Sequence, residues 1–365
     1  MAYHLYVFGS NGEGQLGIPP QDIVRSPTRT SNPPPIEVLK SIHGGDNHTL
    51  LLTKDGFMYG VGDNRKQQLD PDSEKDHLEH FVNLTPTAIS LGAATCESTA
   101  YISNSNSSPT SELHTYGSGQ WGELGCGDDV VNLSINHQPR SRCVATLPDW
   151  TINFAAGVWH YVAVLSDGSV YGWGKARLGQ LGDRLSSKVT VPTKIEGIPF
   201  RPAKVVCGKD FTYFASDPVS GKHIILGRDK FSLISSMPEH IKCWKDIGAT
   251  WHAVFVLFDD GRLTAWGKEN MWKLIPPNLP PIQKITVGSD HVLAVTTNGK
   301  LISWGWGKHG NCGDLRGMQE KMKNDMVSGF WNEISLPGEV CTIGAGYCTS
   351  FVVTKVDEED SGTHE

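Results

Sequence analysis

Apolar and polar positions along this chain fall into short blocks that return at intervals. An apolar pair leads into one or two small residues, a variable loop of two or three, and then His or Phe. The block reads Ile42-His43-Gly44-Gly45-Asp46-Asn47-His48, then Phe154 through His160, Val205 through Phe211, Ile247 through His252, and Thr286 through His291. An apolar run follows each, as in Thr49-Leu50-Leu51-Leu52, Val162-Ala163-Val164-Leu165, Ala253-Val254-Phe255-Val256 and Val292-Leu293-Ala294-Val295. Short apolar runs bounded by turn residues predict strands. The turns are Asp55-Gly56, Asp167-Gly168, Asp260-Gly261 and Asn298-Gly299, pairs that accept positive φ in a two-residue hairpin. The strand after each turn runs into a glycine-tryptophan segment, such as Tyr171-Gly172-Trp173-Gly174, Ala265-Trp266-Gly267 or Ser303-Trp304-Gly305.

The blocks are copies of one unit, and a unit that cannot bury its own apolar face must stack on its neighbours. Two copies are decayed: Ile89 to Gly125, with a hairpin lengthened by the polar stretch Ser103–Ser111, and the C-terminal Val340 to Val353, which lacks a second strand. The start of the chain, Tyr3 to Gly9, has the form of the missing strand. The expectation is an all-β, seven-bladed β-propeller, with about 40–60 residues per copy, closed by pairing of the N-terminal strand with the C-terminal blade. Residues 1–355 form this one domain and 356–365 an acidic, solvated tail.

Composition agrees. Forty glycines and twenty-one prolines accompany only 19% charged residues, which suits short strands and tight turns, and eleven tryptophans require a core. A net charge of −7 without any lysine or arginine run disfavours direct nucleic-acid binding. No apolar stretch is long enough for a membrane helix, and Met1 to Phe8 enters a strand directly. The chain is therefore expected to be soluble and intracellular. Its eight cysteines form no Cys-x-x-Cys pair and read mostly as small apolar core residues.

Gly12-Glu13-Gly14-Gln15-Leu16-Gly17 spells a dinucleotide fingerprint, but Ile18-Pro19-Pro20 follows where a helix would have to start. Gln-Leu-Gly returns at Gln180-Leu181-Gly182, with Glu123-Leu124-Gly125 as a near match, so the spacing belongs to the repeat. His48, His160, His252 and His291 occupy the same place in different blades, and a ring keeps them apart. They read as structural residues that bond neighbouring backbone, not as a metal set. No acid–base or nucleophile motif is present, so no catalytic, cofactor-binding or metal-ligating residue is assigned. The informative positions are loop residues that a propeller gathers around its axis: Asp46, Asn47, Trp159, Lys209, Asp210, Phe211, Trp251 and Asp290. Lys308 and His309 form a second candidate loop. Aromatic anchors among mixed charges resemble the centre of a protein interface. The Asp70–Leu84 insertion and the Met318–Phe330 segment read either as helices or as excursions over one face.

At these residues the chain resembles the regulator-of-chromosome-condensation repeat family over nearly its whole length. Gly9-Ser10-Asn11-Gly12, Gly62-Asp63-Asn64-Arg65, Cys207-Gly208-Lys209-Asp210-Phe211 and Trp304 through Gly313 resemble one branch, the fungal killer-toxin-insensitivity or alpha-tubulin-suppressor propellers. That resemblance implies a non-catalytic heterodimer with a small cysteine-rich protein, which carries the zinc or iron and donates electrons. It implies indirect links to the Elongator complex and the diphthamide synthase, in the cytoplasm and nucleus. The founding member of the family implies an alternative, guanine-nucleotide exchange on a Ran-like small GTPase.

Overall fold

A computed structural model describes residues 1–105, 107–127 and 143–357. Its strands assemble into seven antiparallel sheets, five of four strands and two of three. Blade one is Leu39–Gly44, His48–Thr53, Met58–Asp63 and His77–Asn83; blade two is Leu91–Ala94, Ser98–Asn104, Ser111–Gly117 and Cys143–Leu147. Thr151–Ala156, His160–Leu165, Val170–Lys175 and Lys188–Lys194 make blade three. Blades four (Lys204–Cys207, Phe211–Ala215, His223–Gly227) and five (Trp244–Ala249, Ala253–Phe258, Leu263–Gly267) stop at three strands. Blade six runs Ile282–Val287, His291–Thr296, Leu301–Trp306 and Met326–Ile334.

Blade seven closes the ring. Glu339–Ala345 and Thr349–Val356 come from the end of the chain, and Ala2–Ser10 and Ile23–Arg29 from its start. Ala2–Gly9 pairs residue for residue with Val356–Thr349. The N-terminus thus contributes two strands to the last blade, one more than the repeat pattern indicated. The seven-bladed ring and its closure are as the sequence implied.

The second strand of a blade lies between the neighbouring blades and is buried throughout, as in His160–Leu165 and His291–Thr296. That is why its sequence is a continuous apolar run without alternation. The core consequently sits between blades: Ala100 of blade two, Tyr161 and Trp173 of blade three and Phe214 of blade four belong to one cluster. Leu5, Val7 and Phe8 join Phe351, Val352 and Val353 with Leu51 and Leu293 in another. Two of the repeat tryptophans tie their blade to the one before it. Buried Trp173 donates from Nε1 to the Glu123 carbonyl (2.9 Å), and Trp304 to that of Leu274 (2.8 Å).

Several expectations change in detail. The Asp-Gly and Asn-Gly turns are three-residue loops, closed by bonds such as Thr53 N to Phe57 O and Gly56 N to Thr53 O. Glycine stands third, with φ near +90° at Gly56 and Gly168, the arrangement of a turn followed by a left-handed residue. Neither open segment is α-helical. The 70–84 stretch supplies the fourth strand of blade one, and 318–330 carries the end of a 3-10 turn, Arg316–Lys321, and the start of Met326–Ile334. Of the cysteines, Cys312 is buried, Cys243 exposed, and Cys96, Cys207, Cys341 and Cys348 intermediate. Cys126 is disulfide-bonded, which the reading as small core residues did not foresee. The acidic tail beyond Asp357 lies outside the described residues.

The glycine three places before the repeat histidine has a packing cause. A β-carbon on Gly157 would sit 2.3 Å from the His160 ring, and one on Gly45 2.1 Å from that of His48. Gly157→Ala is expected to destabilise the protein by about 1–3 kcal/mol, read as a lowered midpoint in urea. Gly317→Ala, where a β-carbon meets nothing within 4 Å, should leave the midpoint unchanged.

Candidate functional site

Each blade's first strand leads into a four-residue turn whose first N–H bonds the carbonyl of the fourth residue. The pairs are Gly45–His48, Thr95–Ser98, Gly157–His160, Gly208–Phe211, Thr250–Ala253, Gly288–His291 and Gly346–Thr349, at 2.8–3.0 Å. This register corrects one alignment. In blade five the counterpart of the repeat histidine is Ala253, which faces Gly267 as His48 faces Gly62 and His160 faces Gly174. His252 is one place earlier, in the loop.

His48, His160 and His291 are buried and reach across to the next blade. His160 Nε2 lies 3.0 Å from Thr212 Oγ1, whose hydroxyl donates to the Gln180 carbonyl (2.7 Å). His291 Nε2 meets Ser350 Oγ at 3.0 Å, and Ser350 donates to Asn311 O at 2.8 Å. Because each hydroxyl spends its proton on a carbonyl, the imidazole is the donor and is neutral with its proton on Nε2. His48 makes the same contact with Thr99 at 3.2 Å. The partners are hydroxyls of a neighbouring blade, where the sequence reading placed backbone groups. Burial lowers all three histidines to about 4.

The two middle residues of each turn are what the ring presents. The first set is Asp46, Cys96, Val158, Lys209, Trp251, Ser289 and Tyr347. Backbone hydrogen bonds run between neighbours, Asp46 N to Cys96 O, Cys96 N to Val158 O, Lys209 N to Trp251 O, Trp251 N to Ser289 O and Ser289 N to Tyr347 O, all 2.9–3.0 Å. The second set is Asn47, Glu97, Trp159, Asp210, His252, Asp290 and Cys348. Six of their carbonyls accept from the end of the third strand or the residue after it, as Trp159 O does from Lys175. With the backbone so engaged, side chains are what remains for a partner. Beneath them lies an axial cavity of about 150 Å³, walled by small residues such as Gly44, Ala94, Ala156, Ala249 and Ala345.

Seven of the ten predicted residues therefore share one ring. Asp46 is exposed; Asn47, Trp159, Lys209, Asp210, Trp251 and Asp290 are half-buried. Phe211 does not belong with them. It is 2% exposed and fills the slot the histidines occupy elsewhere, with its ring 2.0 Å from where a β-carbon on Gly208 would be. Lys308 and His309 are on the same end of the ring, because the loop after a third strand returns to that end, but they stand at its rim in the long loop of blade six. There His309 packs edge-on against Trp306.

Alignment on histidine missed Cys96, Glu97, Tyr347 and Cys348, since Ser98 and Thr349 replace it in those blades. The signal available was the small residue three places earlier, Thr95 or Gly346, and the apolar run afterwards. Lys175, at the end of a third strand, and Trp121, Arg177 and Lys268, from the loops after third strands, were also missed.

Charge is divided across the face. On one side, partial desolvation of its carboxyl among the turn residues first, and the carboxylates of Glu97 and Asp63 next, raise Asp46 although the residue as a whole is exposed; burial lifts Glu123 to about 7. On the other, Lys209 Nζ lies 5.1 Å over the Trp251 ring, which meets Tyr347 edge-on at 5.3 Å. Lys175 and Arg177 both lie over Trp121, and Lys175 bonds Asp210 at 3.2 Å. Asp290 is pushed up to about 6 by burial, against the pull of Lys268 and Lys209. Carboxylates and aromatic rings alternate; the one carboxylate–histidine contact among the described residues at this end, His77 Nδ1 to Glu13 Oε2 at 3.1 Å, stands beside the Arg65–Glu13 ion pair, away from the turn residues of the ring.

The Gly12–Gly17 loop is a turn and not the start of a helix. Asn11 Oδ1 accepts from Leu16 N at 2.9 Å and its amide donates to Pro19 O, while Gln15 Oε1 accepts from Glu13 N. Gln68, Glu123 and Gln180 cap the N–H two residues before them in the same way.

Comparison with known proteins agrees with this architecture. The Regulator of chromosome condensation (RCC1) repeat matches at residues 4–52 and 167–215, and a second profile of that repeat at 152–180 and 282–311. An RCC1 repeat-containing protein of Schizosaccharomyces pombe is 27% identical, with 96% of this chain and 98% of the relative covered. The Secretion-regulating guanine nucleotide exchange factor of Bos taurus is 26% identical over 85% of this chain and 75% of its own. Among solved structures, Prp20p of Saccharomyces cerevisiae, described with its binding to Gsp1p and histones, superposes with a TM-score of 0.77 at 19% identity, covering 98% and 93%. Human WBSCR16 superposes at 0.76 and 18%, covering 98% and 100%. Residues 167–215 run from the hairpin of blade three to the second strand of blade four, so the sequence repeat and the blade are out of phase.

The buried histidines give a testable pH dependence. Their folded values lie below the ordinary 6.5, so the unfolded chain binds more protons in between. Their stabilisation is complete above about pH 6.5 and is lost as pH falls toward about 4. His160→Gln should flatten the slope of unfolding free energy against pH in that window by up to about 1.4 kcal/mol per pH unit relative to wild type, measured by urea titration.

Proposed function

Because the chain belongs to the regulator of chromosome condensation repeat family, we propose that it is a non-catalytic binding ring that docks another protein on its axial loops. The observation that carries this is the ring of turn residues. Its backbone is internally bonded, while Asp46, Trp159, Lys209, Trp251, Tyr347 and Asp290 supply aromatic and charged side chains at one centre. Interfaces concentrate binding energy in such anchors.

The finer reading is a heterodimer with a small cysteine-rich protein that carries zinc or iron, acting in diphthamide formation and Elongator-dependent wobble-uridine modification, in cytoplasm and nucleus. The stretches that resemble the killer-toxin-insensitivity branch support it, and two of them, Lys209-Asp210 and Lys308-His309, contribute to this face. A ring of this kind would cover the partner's metal region, excluding water and offering hydrogen bonds to its thiolates, both of which shift a metal–thiolate potential.

A second reading, guanine-nucleotide exchange on a small GTPase, is favoured by one observation: the bovine relative is named as an exchange factor. The two separate cleanly. Affinity purification of the full chain followed by zinc and iron analysis should yield a cysteine-rich protein with stoichiometric metal. Nucleotide release from a Ran-like GTPase should not be accelerated; clear acceleration would promote the second reading. Trp251→Ala, which removes the central ring without touching the core, should weaken partner capture about tenfold with thermal stability little changed.

A further inference from the structure

Between blades four and five, beside the axial ring, lies a largely apolar cavity of about 410 Å³ walled by Leu178, Phe211, Leu233 and His252, with the charged residues Asp210, Arg228, Asp229 and Lys230 completing its lining. Phe231 stands over the same spot. Both Phe231 and Ser232 hold left-handed backbone, φ 59° and 58°, a conformation that is costly for residues with a β-carbon and is kept where the surroundings impose it. The segment is clamped by Asp229, whose Oδ1 accepts from Ile234 N (2.7 Å) and Ser235 N (3.2 Å). The result is an aromatic ring 5.1 Å from Lys230 Nζ and 5.4 Å from Lys268 Nζ, edge-on to His252 at 5.1 Å.

The nearby acids are already engaged. Asp210 pairs with Lys175, and Asp229 caps its own turn. Among the described residues, Arg177, Lys209, Arg228, Lys230 and Lys268 take part in no ion pair. Three of these cations act on His252, held near 4 by burial and then by Lys268, Lys230 and Lys209, against the opposing charge of Asp210. A chain of net charge −7 thus gathers unpaired cations around one apolar cavity.

We propose that this cavity docks an acidic, extended segment of a partner protein, with one apolar side chain in the cavity and flanking carboxylates on Lys209, Arg228, Lys230 and Lys268. Charge complementarity selects the occupant. Asp210 and Asp290, interleaved with the lysines, oppose an evenly charged phosphate backbone, whereas a peptide can place its carboxylates selectively. The inference rests on the axial face being the docking surface and assigns its blade four–five quadrant.

The test is fluorescence anisotropy with the full chain and a labelled hexapeptide of four carboxylate residues around a leucine–phenylalanine pair. The control is the same peptide with amides for carboxylates. Saturable binding that weakens between about 50 and about 200 mM salt is expected, with little binding of the amide peptide. Lys230→Glu combined with Lys268→Glu should lower affinity about tenfold or more, and Phe231→Ala should also weaken it. Lys54→Glu, in a hairpin turn at the other end of the ring, should not, and thermal melting reports that all variants are folded. Equal binding of the amide peptide, tighter binding of a labelled oligouridylate, or indifference to the double charge reversal would overturn the proposal. Capture of the copurifying metal protein distinguishes the levels. If Trp251→Ala releases that protein and the double reversal does not, the quadrant assignment fails and the docking face stands. If neither releases it, the face itself is wrong.

Discussion

Everything in this protein depends on the first strand finding the last. Ala2–Gly9 must pair with Thr349–Val356 across the full length of the chain before every blade has neighbours on both sides. Closure turns seven sheets, each apolar on both faces, into a ring in which every buried second strand is covered. An open array would expose two such faces and their strand edges. Closure also sets the geometry at the axis. Seven inner strands converge there, and at the closest approach only glycine fits: a β-carbon on Gly44 would lie 2.4 Å from the Gly346 α-carbon.

The same convergence makes the axial face. Turns forced close together bond one another through the backbone, and this fixes their side chains in a narrow circle. Below that circle, neutral histidines and the hydroxyls of the next blade join wedge to wedge at blades one, three and six. Where the device is absent the ring uses other means. Phe211 fills the slot in blade four, and in blade two Ser98 and Thr95 engage the Tyr161 hydroxyl of blade three at 2.9 and 3.3 Å. A scaffold built from interchangeable staples leaves the turn residues free to differ, and here they differ in sign: Glu97 and Asp63 act on Asp46 on one side, while on the other Asp210 and Asp290 are interleaved with lysines and aromatic rings.

Most of the fold was legible in the chain because it is local information repeated. Continuous apolar runs mark the buried strands, Asp-Gly and Asn-Gly mark the turns, and the strand-like Tyr3–Gly9 supplies what the last copy lacks. The site was legible in part. Asp46, Trp159, Lys209, Trp251 and Asp290 follow from their distance to an apolar strand. Phe211 was misread because a phenylalanine in a loop motif and one beneath it look alike in sequence. His252 was placed one residue out of register, since blade five carries alanine where histidine is usual and a histidine happens to precede it.

By itself the sequence determined the unit, its number and the way the ring shuts, since these follow from periodicity and from the preferences of glycine, apolar and turn residues. Tertiary structure decided which side chains are neighbours. Lys209, Lys230 and Lys268 are scattered along blades four and five and form no run, yet they act on one histidine. Charge grouped by curvature leaves no trace in linear order, and that is the physical reason the axial face had to be seen folded.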